Sequence, residues 1–292
     1  MKKIFLLFML AAFVSTSIMA QDPAKDLKNA EKSLKKYIQD PTNLDELNSA
    51  FSLLESAFSS DVLKGEAKSW ITRAKIFNEL ANAEFKRKAL DPAYEIVSED
   101  AALQAFRAFS EASKLAEKKN DLKDIELGLT EVESHLNNFA IFAYQVKDYS
   151  NAFDNFAASI EAHDLLKSLG KPSRLEEDNL LNDQYFYSAV SAYYGDKQEA
   201  SKPYLEKLYN DNTQEAFVYE ALYNINNATD PDNAVTYLEK GRQLFPDDTG
   251  LLFAEINHYL KSGKLDVLID KLKMAMKKEP DNISIFNTMG SV

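Results

Sequence analysis

Two prolines, Pro246 and Pro280, lie 34 residues apart in the matching contexts Phe-Pro-Asp-Asp and Glu-Pro-Asp-Asn. A fixed period of this length makes each repeat one unit of supersecondary structure, whose apolar face is buried only by its neighbours. Placing each proline near the end of its unit gives units 215–248 and 249–282, and one further step back gives 181–214. Within 181–214, Gly195-Asp196 falls on a turn between two helices, Glu199-Ala200 opens the second helix and Tyr204 takes a large packing position. In 215–248 the same places hold Thr229-Asp230, Asn233-Ala234 and Leu238, followed by the small residue Gly241. A fourth unit, 133–166, carries Leu136, Phe139, Ala140 and Ala143 on its first helix, then Asp148, Ala152, Phe156 and Ser159 on its second.

Between these units, 167–180 holds the turn Gly170-Lys171-Pro172-Ser173 and then a stretch, 174–181, expected to lengthen the next first helix. Upstream, 21–132 reads as degenerate helical repeats. Trp70, Ala74 and Phe77 mark one first helix, and Ala105, Phe109 and Ala112 its second, with an insert over 90–100 between them. Ala50, Leu54 and Ala57 keep the second-helix spacing of a weaker unit, 30–62, whose turn holds Pro41. Only 8 of the 292 residues are Gly, which favours helices over sheets joined by tight glycine turns. Ala152, Ala200 and Ala234 are expected at close contacts between helices, where overpacking costs about 1–3 kcal/mol. Asp230-Pro231 suits a helix start, while Pro203 is expected to shorten or kink its helix.

A 34-residue unit with these small and large positions resembles the tetratricopeptide repeat family, strongly from residue 133 onward and moderately before it. The resemblance implies an all-α, right-handed α-solenoid of helical hairpins. It also implies a concave groove lined by the first helices, which here would present Asn137, Ile141 and Tyr144, then Tyr185 and Tyr193, then Tyr219, Tyr223 and Asn226, then Phe253 and Asn257. Tyrosine offers large contact area with few rotamers to freeze, and asparagine pairs with both the N–H and C=O of an extended peptide. Tyr187 and Tyr204 are read instead as packing between repeats. Family members that grip a carboxylate use Lys and Arg where this chain has Tyr185, Tyr219 and Phe253, so such a clamp is not expected.

Residues 1–20 read as a secretory signal peptide: Lys2-Lys3, an apolar run over 4–14, then Ser15-Thr16-Ser17 and Ala20. The run is shorter than the roughly 20 residues that span a bilayer. Its removal takes two lysines and moves the net charge from −12 to −14, which disfavours nucleic acid and anionic lipid. There is no cysteine, hence neither a disulfide nor an acylated anchor, and a periplasmic location is expected.

Nothing in the sequence marks an active site: there is no phosphate loop, zinc motif or nucleophile elbow. His135, His163 and His258 sit at unrelated repeat positions, so no metal is expected. Glu176-Glu177-Asp178 and Asp247-Asp248 fit helix starts, where the dipole favours carboxylates. No catalytic residue and no cofactor is assigned. The favoured class is a non-enzymatic scaffold or adaptor that binds a protein or peptide, and the alternative is a glycan-binding component of an outer-membrane nutrient-uptake system. Residues 283–292 read as the first helix of an incomplete further repeat, with Phe286, Met289 and Gly290 in register, docked on 249–282; the sequence is expected to continue beyond Val292.

Overall fold

A computed structural model describes residues 22–290. The expected leader, 1–20, lies outside them. Among the described residues there are thirteen α-helices and no strand. They form successive hairpins: α1 (Pro23–Gln39) with α2 (Leu44–Phe58), α3 (Ala67–Leu90) with α4 (Ala101–Leu115), and α5 (Lys119–Gln145) with α6 (Tyr149–Ser168). Then come α7 (Asp178–Tyr194) with α8 (Gln198–Asn210), α9 (Ala216–Asn226) with α10 (Pro231–Leu244), α11 (Thr249–Ser262) with α12 (Leu265–Lys278), and finally α13 (Ile283–Gly290). Each hairpin packs on the next, giving an all-α solenoid. None of these helices is long and apolar enough to cross a membrane.

The period acts through the second helices. The fourth residue of α6, α8, α10 and α12 is buried in every case: Ala152, Ser201, Ala234 and Leu268. So is the eighth: Phe156, Leu205, Leu238 and Leu272. These positions share a face at the helical spacing of four. One expected contact point is corrected here. Ala200 is exposed, because α8 begins one residue out of step with the 34-residue period, and Ser201 takes the buried place. Pro203 does not shorten α8, which continues to Asn210; the ring removes one bond, to the carbonyl of Glu199, and the turns on either side hold.

The turns explain how so few glycines suffice. At the ends of α5, α7 and α11, an N–H bonds back five residues: Asp148 to Ala143 (2.9 Å), Lys197 to Ala192 (2.9 Å) and Lys264 to Tyr259 (3.2 Å). Each closure needs a left-handed residue, supplied by Lys147, Asp196 and Gly263. Pro246 and Pro280 follow the ends of α10 and α12 and stop both helices. Asp148, Asp230 and Asp248 cap α6, α10 and α11 through their side chains.

The segment 174–181 is not a lengthened helix. Ser173 and Glu176 form a capping box around the short 3₁₀ turn Arg174–Glu176, and Glu177 then adopts extended backbone before α7 starts at Asp178. This interruption matters for the stacking. First helices α3 and α5 pack on each other, as do α9 and α11, whereas between α5 and α7 the 3₁₀ turn intervenes and touches both.

Candidate functional site

Where the turn separates α5 from α7, a cleft of about 420 Å³ opens, within the range typical of ligand sites. Asn137, Ile141, Tyr144 and Gln145 line it from α5, Phe156 from α6, Arg174 from the turn, and Leu180, Asp183, Gln184 and Tyr187 from α7. The spacings on α5 and α7 each put one helix face into the cleft.

The aromatic side chains form the wall. Tyr144 meets Tyr187 edge-on at 5.6 Å, and Tyr187 stacks on Phe156 at 5.7 Å. From there a closed circuit of rings runs over the surface: Tyr144 to Tyr149, Tyr149 to Tyr194, Tyr194 to Phe217, Phe217 to Phe186, and Phe186 back to Tyr187, with centroids 5.4–6.1 Å apart. Such pairs add about 0.5–1.5 kcal/mol each beyond area burial, which holds the rings in place. Tyr187 remains 41% and Tyr194 55% exposed. Burial, reinforced by the neighbouring phenols, raises the pKa of Tyr144 and keeps its hydroxyl protonated.

A buried brace sets the turn. Glu133, fully buried on α5, accepts from the Ser173 hydroxyl through one oxygen and from the Arg174 backbone N–H (2.9 Å) through the other. His163 Nδ1 lies 2.7 Å from the same hydroxyl, which also accepts from the Leu175 N–H at 3.0 Å. Lys171 pairs with Glu126 of α5 at 2.8 Å. Serine, histidine and carboxylate are the components of a nucleophilic triad, but they are wired differently here. The serine hydroxyl donates to the carboxylate, which leaves the imidazole to donate, so the histidine is not placed to act as the serine's base. The cluster positions the chain and does not activate a nucleophile.

The tyrosine and asparagine row of the sequence analysis divides in the structure. Asn137, Ile141 and Tyr144 meet at the cleft. Tyr193 joins the aromatic surface, packed on Phe217, with its hydroxyl accepting from Asn224 at 3.2 Å. Tyr185 packs within its own hairpin on Tyr204, under Lys207. Three residues are corrected from groove to core. Tyr219 is 0% exposed and donates to the Thr213 carbonyl, Tyr223 is 3% exposed, and Asn226 is buried between Lys202 and the Leu222 carbonyl. The cause is the crowding of α9: this short helix is enclosed by α8, α10 and α11, so residues on nearly all its sides are covered. Phe253 packs into the core of the last hairpin, and Asn257 is exposed on α11, apart from the cleft.

No family model and no curated protein matches the chain. The site therefore rests on its own geometry. Tyr187, read from sequence as packing, is a cleft wall, and Arg174 enters through the insert. The stripe Leu180, Asp183, Gln184, Tyr187 carries the helical spacing that marks this face. The sequence marked a turn at 170–173, and not the 3₁₀ turn after it that opens the cleft.

Proposed function

We propose that the protein is an exported, non-catalytic binding protein of tetratricopeptide type, which takes an extended segment of a partner protein in the cleft between α5 and α7. The single observation that carries this reading is the aromatic wall of Tyr144, Phe156 and Tyr187, held by mutual ring contacts and flanked by the amides of Asn137, Gln145 and Gln184. Rigid aromatic surface beside groups that both donate and accept suits a peptide backbone with one large side chain. The 34-residue period supports the repeat type, the stretch 1–20 supports export to the periplasm, and the net charge of −12 argues against a nucleic-acid partner. Ser173 commits its hydroxyl to the brace, which leaves the cleft no nucleophile of that kind.

Affinity capture from an envelope extract tests the reading. The native protein is expected to retain a protein partner. The double variant Tyr144→Ala, Tyr187→Ala should lose it while keeping helicity, since both rings are partly exposed. Retention of polysaccharide alone, lost in the same variant, would overturn the peptide reading in favour of glycan binding.

A further inference from the structure

Among the described residues the cleft lining carries one cation, Arg174, and no carboxylate pairs with it. Glu133 commits its two oxygens to the Ser173 hydroxyl and the Arg174 backbone N–H, so it holds the residue by its main chain. Nε and Nη2 of the Arg174 guanidinium are buried with no hydrogen-bond partner among the described residues. Burying charged donors unpaired is costly, and in a chain with 46 acidic against 34 basic residues a nearby carboxylate would be a simple remedy. The only acid on the cleft lining, Asp183, is exposed and makes no ion pair with it among the described residues. A guanidinium whose backbone is braced by the turn and whose charge is left uncompensated beside an aromatic cleft offers a counter-charge to an anion brought by the ligand.

We infer that Arg174 anchors a single carboxylate of the bound segment, whose adjoining flat apolar group packs on Tyr144 and Tyr187. This deepens the peptide-binding reading of the same cleft and rests on it. Asp183, exposed on the same lining, repels a second negative group, so the site suits one carboxylate rather than a polyanion. The carboxylate has two sources, a chain terminus or an acidic side chain. The anchor lies outside the 34-residue units, in the turn that interrupts them.

Calorimetric titration of the purified protein with two pairs of small probes tests this. N-acetyltyrosine against its amide represents a chain end, and the amides of N-acetyl-Asp-Tyr against N-acetyl-Asn-Tyr represent a side chain. The native protein is expected to prefer the acid of at least one pair by about tenfold, and the pair that shows it identifies the source. Arg174→Gln should bring acid and neutral probe to within about twofold, and Arg174→Lys should keep part of the preference. If the glutamine variant fails to fold, salt provides the second readout: raising it from about 0.05 M to about 0.5 M should weaken acid binding in the native protein and leave the amide unaffected. Equal binding of acid and neutral probe, or a preference that survives Arg174→Gln, overturns the anchor while leaving the cleft a peptide site. Failure of every probe to bind overturns both.

Discussion

Helices α1–α6 and helices α9–α13 follow the same hairpin plan but bury their apolar residues differently. The first group shares one main cluster running from Leu27 to Leu166, through Phe77, Phe109 and Leu136. In the second, the core breaks into a cluster around Tyr219 and Leu238 and another around Leu252 and Leu272. The clearer repeat belongs to the second group, yet the more continuous core belongs to the first. Helix length accounts for the reversal: α3 and α5 have 24 and 27 residues, α9 and α11 only 11 and 14. Long helices reach across two hairpins at once and merge their cores. A regular period records that neighbours are alike, and it does not measure how much each of them covers.

The comparison is broken most directly in the continuous core. Phe109, fully buried, faces Gly128 of α5, and a Cβ there would meet its ring at 2.0 Å. Phe109→Ala is expected to cost about 3–5 kcal/mol in chemical denaturation and to loosen α3, α4 and α5 together. Amide exchange should report that joint loosening, while Leu272→Ala at the other end should open only α11–α13.

Gly241 is the close contact of the segmented half. A Cβ on it would lie 2.7 Å from Tyr219 Cβ and 3.0 Å from a Leu251 methyl, so Gly241→Val should lose about 1–3 kcal/mol by overpacking. Thermal melting checks this, and the effect should stay within α9–α11.

Acid should weaken the continuous half first. Burial, with Lys86 adding to it, lowers the pKa of His135 to about 4 from 6.5, and its Nδ1 has no hydrogen-bond partner among the described residues. The unfolded chain takes up this proton near pH 6.5 and the folded one near 4. Its contribution to stability is therefore complete above about 6.5 and declines as the pH falls through that window, by about 1–3 kcal/mol. His135→Phe should flatten this part of the melting-temperature profile. The smallest expected effect is a gain: Lys147 sits at φ 62, and Lys147→Gly should add about 0.5–1 kcal/mol by relieving the left-handed strain.

Much of the fold was legible because its determinants are local. Pro246, Pro280, Asp148 and Gly195 fix turns within a few residues of themselves, and Phe156 and Leu238 report buried faces by spacing alone, whereas Leu205 takes the fully buried place expected for Tyr204. The site was legible only at Asn137, Ile141 and Tyr144, where a first helix keeps one side uncovered. Tyr219 and Tyr223 stand at positions of the same type, but α11 closes over α9, and the approach of the next hairpin is not written in the residues it covers. Arg174 and Tyr187 depend on a turn held by Glu133, 40 residues earlier in the chain, a partnership that no local pattern announces.

That turn is attached to α5 mainly through two carboxylates, Glu126 and Glu133, and supplies little of the helix-on-helix contact that stacks the hairpins. Apart from the buried Leu175, its composition is thus separable from the architecture around it. Substitution at Arg174 and the exposed Glu177, with Ser173, the buried Leu175, Glu176 and both carboxylates kept, would place different chemistry at the mouth of an unchanged scaffold, which makes this junction a natural point for retargeting the protein.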